Sequence, residues 1–228
     1  MRTDIDVTFN FWRDTPKRKG ADPDSDSETL RQYHKVLWSK RLPGGEYFEL
    51  DDKLHHRSAL GEFWLSSDAV IPTFKWNKDI RKLIPDEELE AFNAIGYTIG
   101  GMMVFPANQI DGKQTINQER GFAREIKDRF DLTLECIRRH YSGGESPLTD
   151  VLARYRDFFD LFVDFRGYVE FFLLQDLVSE DFSAVKISAP FDGFNGPPIP
   201  TDVLQYNAYK KDAIAFIEAR NRRIQDSA

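Results

Sequence analysis

Nine phenylalanines crowd the interval from Phe158 to Phe194. Any fold this chain adopts has to hide those rings, because burying one Phe is worth about 1.5–3 kcal/mol relative to exposure. Asp160, Asp164, Arg166, Glu170 and Asp176 interrupt the same interval. It therefore reads as helices packed on an aromatic core and not as a membrane span, which needs about 18 consecutive apolar residues. A chain of 228 residues suits one large domain. The expected division is a mixed strand and helix part over about 1–110 and a helical part over about 111–228, which is an α+β class with a small sheet.

Charge and cysteine usage narrow the functional classes. The formal charge of −7 argues against coating DNA or RNA in bulk. The single cysteine, Cys136, excludes an intramolecular disulfide and a cysteine-cluster zinc site, and a reducing cytoplasm is the expected location. The opening MRTDIDVTFN lacks the apolar run of a signal peptide. No pattern calls for a metal or another cofactor.

Periodicity predicts the elements. Ile5, Val7, Phe9 and Phe11 alternate with polar residues, which predicts a half-buried strand. The acid-, Ser- and Pro-rich stretch from Arg13 to Thr29 predicts a long solvated loop. Ser27 is placed to cap a helix from about Glu28 to Ser39. Strands are expected over Tyr47–Leu50, Gly61–Ser67 and Tyr97–Phe105, with a connector through His55 that is too long for a tight hairpin turn. Helices are expected over Thr73–Leu83 and Asp86–Ile95. Thr115 and Gln118 fit a capping box. Phe122, Ile126, Phe130, Thr133, Ile137 and Tyr141 then form one stripe, predicting a single helix over Thr115–Tyr141. Arg120, Arg124, Lys127, Asp131, Glu135 and Arg138 fall on its opposite, solvated face. Further helices are expected from Pro147 to Phe165, from Tyr168 to Val178, and from Asp202 to Ile224.

Several side chains are candidates for chemistry. Arg129 projects on the flank of the buried stripe, so it needs a partner, either Glu125 one turn earlier or a bound phosphate or carboxylate. Lys113 precedes the same helix, where backbone N–H groups favour anions. His55 and His56 are candidates for proton transfer. As neighbours on a strand they face opposite sides and do not share a metal. Ser66, Ser67 and Asp68 end a strand, a common place for ligand contacts, and no hydrolase elbow surrounds the serines. Trp38 and Trp64 offer rings for stacking on a base, with Lys40 beside them.

The phrases YHKVLWSK, GEFWLSSD, TIGGMMVFP, DGKQTIN, DRFDLTLECIRRHY and DFRGYVEFFLLQDLV run through nearly the whole chain. Together they resemble a family of bacterial proteins carried as a domain of unknown function. The resemblance implies a bacterial, cytosolic protein and implies no reaction. Its phrases take in His34, Trp38, Lys40, Ser66, Ser67, Asp68, Lys113, Asn117, Arg129, Arg138 and Arg139. The loop TPKRKGADPDSDSE is longer than the family's usual form.

Two functions compete. One is a pocket that binds, and acts on, a small anionic molecule such as a phosphate ester or nucleotide, using Arg129, Lys113, the two histidines, Ser66, Ser67, Trp38 and Lys40. The other is a non-catalytic interaction protein, such as a defence or toxin–antitoxin component.

Overall fold

The computed structural model describes residues 5–71, 78–188 and 192–227. In chain order the helices and strands are α1 (Pro23–Asp26), α2 (Glu28–Trp38), β1 (Lys40–Arg41), β2 (Tyr47–Phe48), β3 (His55–Ser58), β4 (Gly61–Ala69), α3 (Lys78–Arg81), α4 (Asp86–Gly96), β5 (Met102–Pro106), α5 (Ile116–Phe122), α6 (Phe130–Tyr141), α7 (Thr149–Arg154), α8 (Arg156–Asp160), α9 (Phe165–Phe171) and α10 (Val203–Ser227). Short 3-10 turns occupy Phe11–Arg13, Ile99–Gly101 and Gln175–Leu177. The class is α+β, with strands β1–β5 mixed with helices α1–α4 up to Pro106 and helices α5–α10 after it.

Two antiparallel sheets form. β1 and β2 pair across the Pro43-Gly44-Gly45 turn, and β3, β4 and β5 pair in that order. β4 is the hub. Its first half pairs with β3, with His56 opposite Phe63, and its second half pairs with β5, with Ser67 opposite Val104. α1 packs against β4. The connector thought too long for a tight turn contains β3 itself, so the real hairpin turn is only Ala59-Leu60, closed by Ser58 opposite Gly61.

The amino-terminal alternation does not make a strand. Ile5 and Phe11 are buried as expected, but the Asp6 carboxylate accepts from the Thr8 backbone N–H (2.9 Å) and hydroxyl, curling the segment locally instead of leaving an extended edge to pair. The cap at Ser27 forms as the sequence predicts. Its hydroxyl oxygen accepts from Leu30 N–H at 3.1 Å while donating to Asp14, and Leu30, Tyr33, His34, Leu37 and Trp38 form the buried stripe of α2.

The long helix expected over Thr115–Tyr141 is two helices. Lys127 and Asp128 adopt left-handed backbone, at φ 48° and 64°, which an α-helix cannot contain. The turn resets the helical phase. Phe122 ends 65% exposed, whereas Arg120, Asp131 and Glu135, expected on the solvated face, are buried. The expected strand at Tyr97 starts later, at Met102. Gly100 and Gly101 precede it at a close backbone approach, where a Cβ on Gly101 would strike the Gly96 carbonyl. The expected helix from Pro147 to Phe165 is split at Tyr155 and ended by Val163 (φ 69°), and the one after it stops at Phe171. Of the helix expected over Thr73–Leu83, residues 73–77 lie outside the described residues, and Lys78–Arg81 is helical.

The Phe-rich interval is the aromatic core. Phe158, Phe162, Tyr168, Phe171 and Phe172 are connected by ring contacts of 4.9–5.3 Å, and Trp38 joins them through Phe172 at 5.2 Å. Arg220 of α10 enters this core with no exposed surface. Its guanidinium donates to the backbone carbonyls of Phe172 (3.1 Å), Gly100 (3.1 Å) and Met102 (2.7 Å), and lies over the Trp38 ring. Burial pulls its pKa down to about 9, partly offset by the Tyr168 hydroxyl. Arg220→Met is expected to leave three buried carbonyls short of donors and to lower unfolding free energy by about 3–5 kcal/mol. Urea unfolding monitored by circular dichroism checks this. Arg220→Lys should recover little of the loss, because an ammonium lacks the planar fork.

Candidate functional site

The second half of β4, α1, α5 and the 123–129 turn enclose a cleft of about 400 Å³, lined by Asp22, Asp24, Ser67, Asp68, Asn117 and Asp128 among others. Each side chain arrives for a local reason. Asp22 is the N-cap of α1, with its carboxylate accepting from Asp24 N–H at 3.1 Å and Pro23 at the first helical position. Ser67 and Asp68 are successive residues of a strand, so they leave the sheet on opposite faces. Asn117 sits in the first turn of α5, behind a complete capping box of Thr115 and Gln118.

Arg120 fixes the floor. It has no exposed surface, and all three of its nitrogens are used. Nε donates to Thr133 Oγ1 (3.1 Å), one terminal nitrogen to the Asp68 carboxylate, and the other to the Asp128 carbonyl (2.8 Å). The left-handed pair Lys127-Asp128 presents that carbonyl and sets the Asp128 carboxylate beside Gly121, where it also borders the cleft.

Behind Ser67 lies a chain of donors with one direction. Trp38 Nε1–H, which can only donate, gives its proton to His34 Nδ1 at 3.0 Å. Burial and the nearby Arg220 charge push the His34 pKa down to about 3. The ring is thus neutral, and its proton must sit on Nε2, which donates to Ser67 Oγ at 2.9 Å. Ser67 therefore receives a hydrogen bond from His34. The histidine holds the serine as a donor and cannot serve as the base that activates it.

The carboxylates are poorly compensated. Burial, then the charges of Asp68 and Asp22, push the Asp24 pKa up to about 9. Burial raises Asp68 to about 6 against the opposing pull of Arg120, with Asp128 adding to the rise. Two buried oxygens, Asp24 Oδ1 and Asn117 Oδ1, have no hydrogen-bond donor. The Asn117 orientation is set by its amide nitrogen, which donates to Ser66 Oγ (2.9 Å) and the Ser67 carbonyl (3.3 Å). Flipping the amide would set two oxygens face to face. Among the described residues no group of three or more His, Cys, Asp or Glu is placed to hold a metal ion.

The model of a family of unknown function, DUF6994, matches residues 5–224. The chain belongs to this family. No curated protein and no solved structure matches it. For this DUF6994 chain the chemistry has to be read from the side chains themselves.

The cleft gathers Ser67, Asp68 and Asn117, with Ser66 on the Asn117 amide; the other sequence candidates lie elsewhere. Arg129 is 1% exposed and meets neither Glu125 nor open space. It caps α6 and grips Asp131 two residues on, donates to the Pro198 carbonyl at 2.9 Å, and faces the Tyr209 ring. Glu125 pairs with Arg124 instead. The helix break moved Arg129 from mid-helix to a cap, so the residue one turn earlier is no longer beside it. Asp131 borders a mostly apolar cavity of about 430 Å³, but the Arg129 donors are directed away to their partners. Lys113 is exposed on the turn before α5. His55 stacks on Trp64 at 3.8 Å and approaches Glu62 at 2.9 Å. His56, on the other face, stacks on Phe48 and bonds Glu49 backbone and Ser58. Trp38 is fully buried and has no free face for a base. Lys40 donates to the Phe171 carbonyl at 2.6 Å, over the Trp38 and Phe171 rings, and burial lowers its pKa to about 8.

Four site residues were missed. Asp22 and Asp24 were read as solvated loop, Arg120 as a solvated helix face, and Asp128 as mid-helix. One signal was available: Asp-Pro at 22–23 is an N-cap followed by Pro at the first helical position, and it announces α1. The raised carboxyls predict a stability profile. Both folded pKa values lie above the unfolded value of 3.8. Their contribution is therefore complete below about pH 4 and is lost as pH climbs through about 6 for Asp68 and about 9 for Asp24. Asp24→Asn, which cannot ionise, is expected to melt at a higher temperature than the parent at pH 8 and at the same temperature at pH 4. Melts across that range check it.

Proposed function

We propose that the chain binds a small molecule through a positively charged, hydrogen-bond-donating group, an ammonium or guanidinium, seated between Asp24, Asp68 and Asn117. The observation that carries this reading is an excess of acceptors. Asp24 Oδ1 and Asn117 Oδ1 are buried without a hydrogen-bond partner; the Asn117 oxygen costs about 1–3 kcal/mol until a donor arrives, and Asp24 avoids a bare buried charge by holding a proton up to about pH 9. Four acidic residues border the cleft, and among the described residues the buried guanidinium beside it, Arg120, is already engaged on Asp68, Thr133 and Asp128. A ligand bearing N–H groups and positive charge supplies both missing terms.

The phosphate ester or nucleotide expected from Arg129 and Lys113 finds no support in this cleft. Its walls repel anions, and the Arg129 donors are engaged on Asp131 and Pro198. A guanidinium or ammonium suits the cleft better than a divalent ion, because the carboxylate oxygens do not converge as metal ligands. The protonated Asp24 beside the more acidic Asp68 can also give and take a proton, so an amine-bearing substrate could be turned over there.

Calorimetric titration with methylguanidine, a cation across the whole range, tests the reading. Asp24 holds a proton up to about pH 9, and a bound cation has to displace it. Affinity should therefore rise by up to about tenfold per pH unit between pH 7 and 9, with proton release. Asp24→Asn should flatten that slope, and Asp68→Asn should weaken binding by about tenfold or more. Binding of inorganic phosphate with no response to methylguanidine would overturn the proposal.

A further inference from the structure

Asp22 belongs to two cavities. On one side it borders the carboxylate cleft; on the other it borders a cavity of about 450 Å³ walled by Trp12, Leu89, Phe92 and Tyr97. Tyr97 lines the second cavity and lies within electrostatic reach of the acids of the first. Its ring meets the Trp12 indole edge-on at 5.3 Å. Its buried phenol feels the charges of Asp24, Asp22 and Asp68, which together with burial raise its pKa and keep the hydroxyl protonated beside the acids.

Trp12 is 46% exposed, an uncommon setting for an indole with a large apolar surface. It is not a loose side chain. Asn10 accepts from Trp12 N–H at 2.9 Å and donates to the Ala94 carbonyl at 3.1 Å, and Phe11 N–H bonds the Tyr97 carbonyl at 3.1 Å. Phe11, the next residue, is fully buried. The 3-10 turn is thereby fastened to the end of α4, so the backbone that carries the partly exposed indole is fixed before any ligand arrives. A preorganised ring loses little freedom on binding.

We propose that one molecule fills both cavities: a cationic head in the carboxylate cleft, joined through a short spacer past Asp22 and Tyr97 to a planar aromatic body that lies on Trp12. This inference rests on the cationic-ligand reading above and names the class of molecule, an arylalkyl amine or guanidine. Arg81 and Glu90 at the rim of the second cavity are placed to meet polar substituents on the aromatic body.

The test compares two guanidines of equal charge, n-butylguanidine and 2-phenylethylguanidine, titrated at pH 8.5 into the full chain. The aromatic ligand should bind at least about tenfold tighter, about 1.4 kcal/mol, and should quench indole fluorescence. Trp12→Leu keeps an apolar contact on Tyr97 and should collapse the affinity ratio to about one, with the quench lost; its melting temperature verifies the fold. Equal affinities for the two guanidines, or a ratio and quench unchanged in Trp12→Leu, would overturn the two-cavity ligand while leaving the cationic head intact. Failure of both guanidines to bind would overturn both proposals.

Discussion

A guanidinium with no carboxylate partner among the described residues sits at the centre of this fold. Arg220 satisfies its donors on three backbone carbonyls, those of Phe172, Gly100 and Met102, and rests on the Trp38 ring. A buried charge costs several kcal/mol unless its surroundings replace water, so these carbonyls have to be held in place. Holding them ties α10 to the end of α9 and to the start of β5, three segments distant in sequence. Burial, helped by the same charge, keeps His34 neutral. The neutral ring, filled at Nδ1 by Trp38, has one proton left to give, and gives it to Ser67. From the core to the cleft there is thus a continuous line of contacts, Arg220 to Trp38 to His34 to Ser67, and each member fixes the state of the next.

Arg120 plays the corresponding part at the cleft floor. The turn at Lys127 and Asp128 spends left-handed backbone on two residues with side chains, an unfavourable choice. It delivers a carbonyl to Arg120 and a carboxylate to the cleft. Thr133 accepts from Arg120 and also donates to the Arg129 carbonyl at 2.9 Å, so the two halves of the broken helix are stitched by the residue that the break serves. The result is an acid-rich pocket with a single spent cation, a setting that raises carboxyl pKa values and favours a cationic guest.

Much of the local structure was legible. The Ser27 cap, the α2 stripe, the Thr115–Gln118 capping box, α4 from Asp86, and the last helix all follow from short-range rules and stand where periodicity put them. The aromatic core was legible as well, because Phe158 to Phe172 have nowhere else to go. The site was legible only in part. Ser66, Ser67 and Asp68 stood out as polar residues at a strand end, and Asn117 only through the phrase DGKQTIN. Asp22, Asp24 and Asp128 did not, since an acid in a polar loop is usually solvated, and nothing nearby in sequence announces that β4 will lie against it. The Arg129 expectation failed for a related reason. It assumed one continuous helix, and a phase error of about half a turn exchanges buried and solvated faces.

The sequence by itself determined the class, the caps, the composition of the core, and the fact that charged residues had to enter apolar surroundings somewhere, because those features depend on neighbours within about one turn. Tertiary structure alone decided which charges went in and with whom. Arg120 meets Asp68 across 52 residues and Arg220 meets Gly100 across 120. Pairings at such range are selected by how whole elements pack, and the energy that selects them, the cost of an unpartnered buried charge, has no meaning until the low-dielectric interior exists.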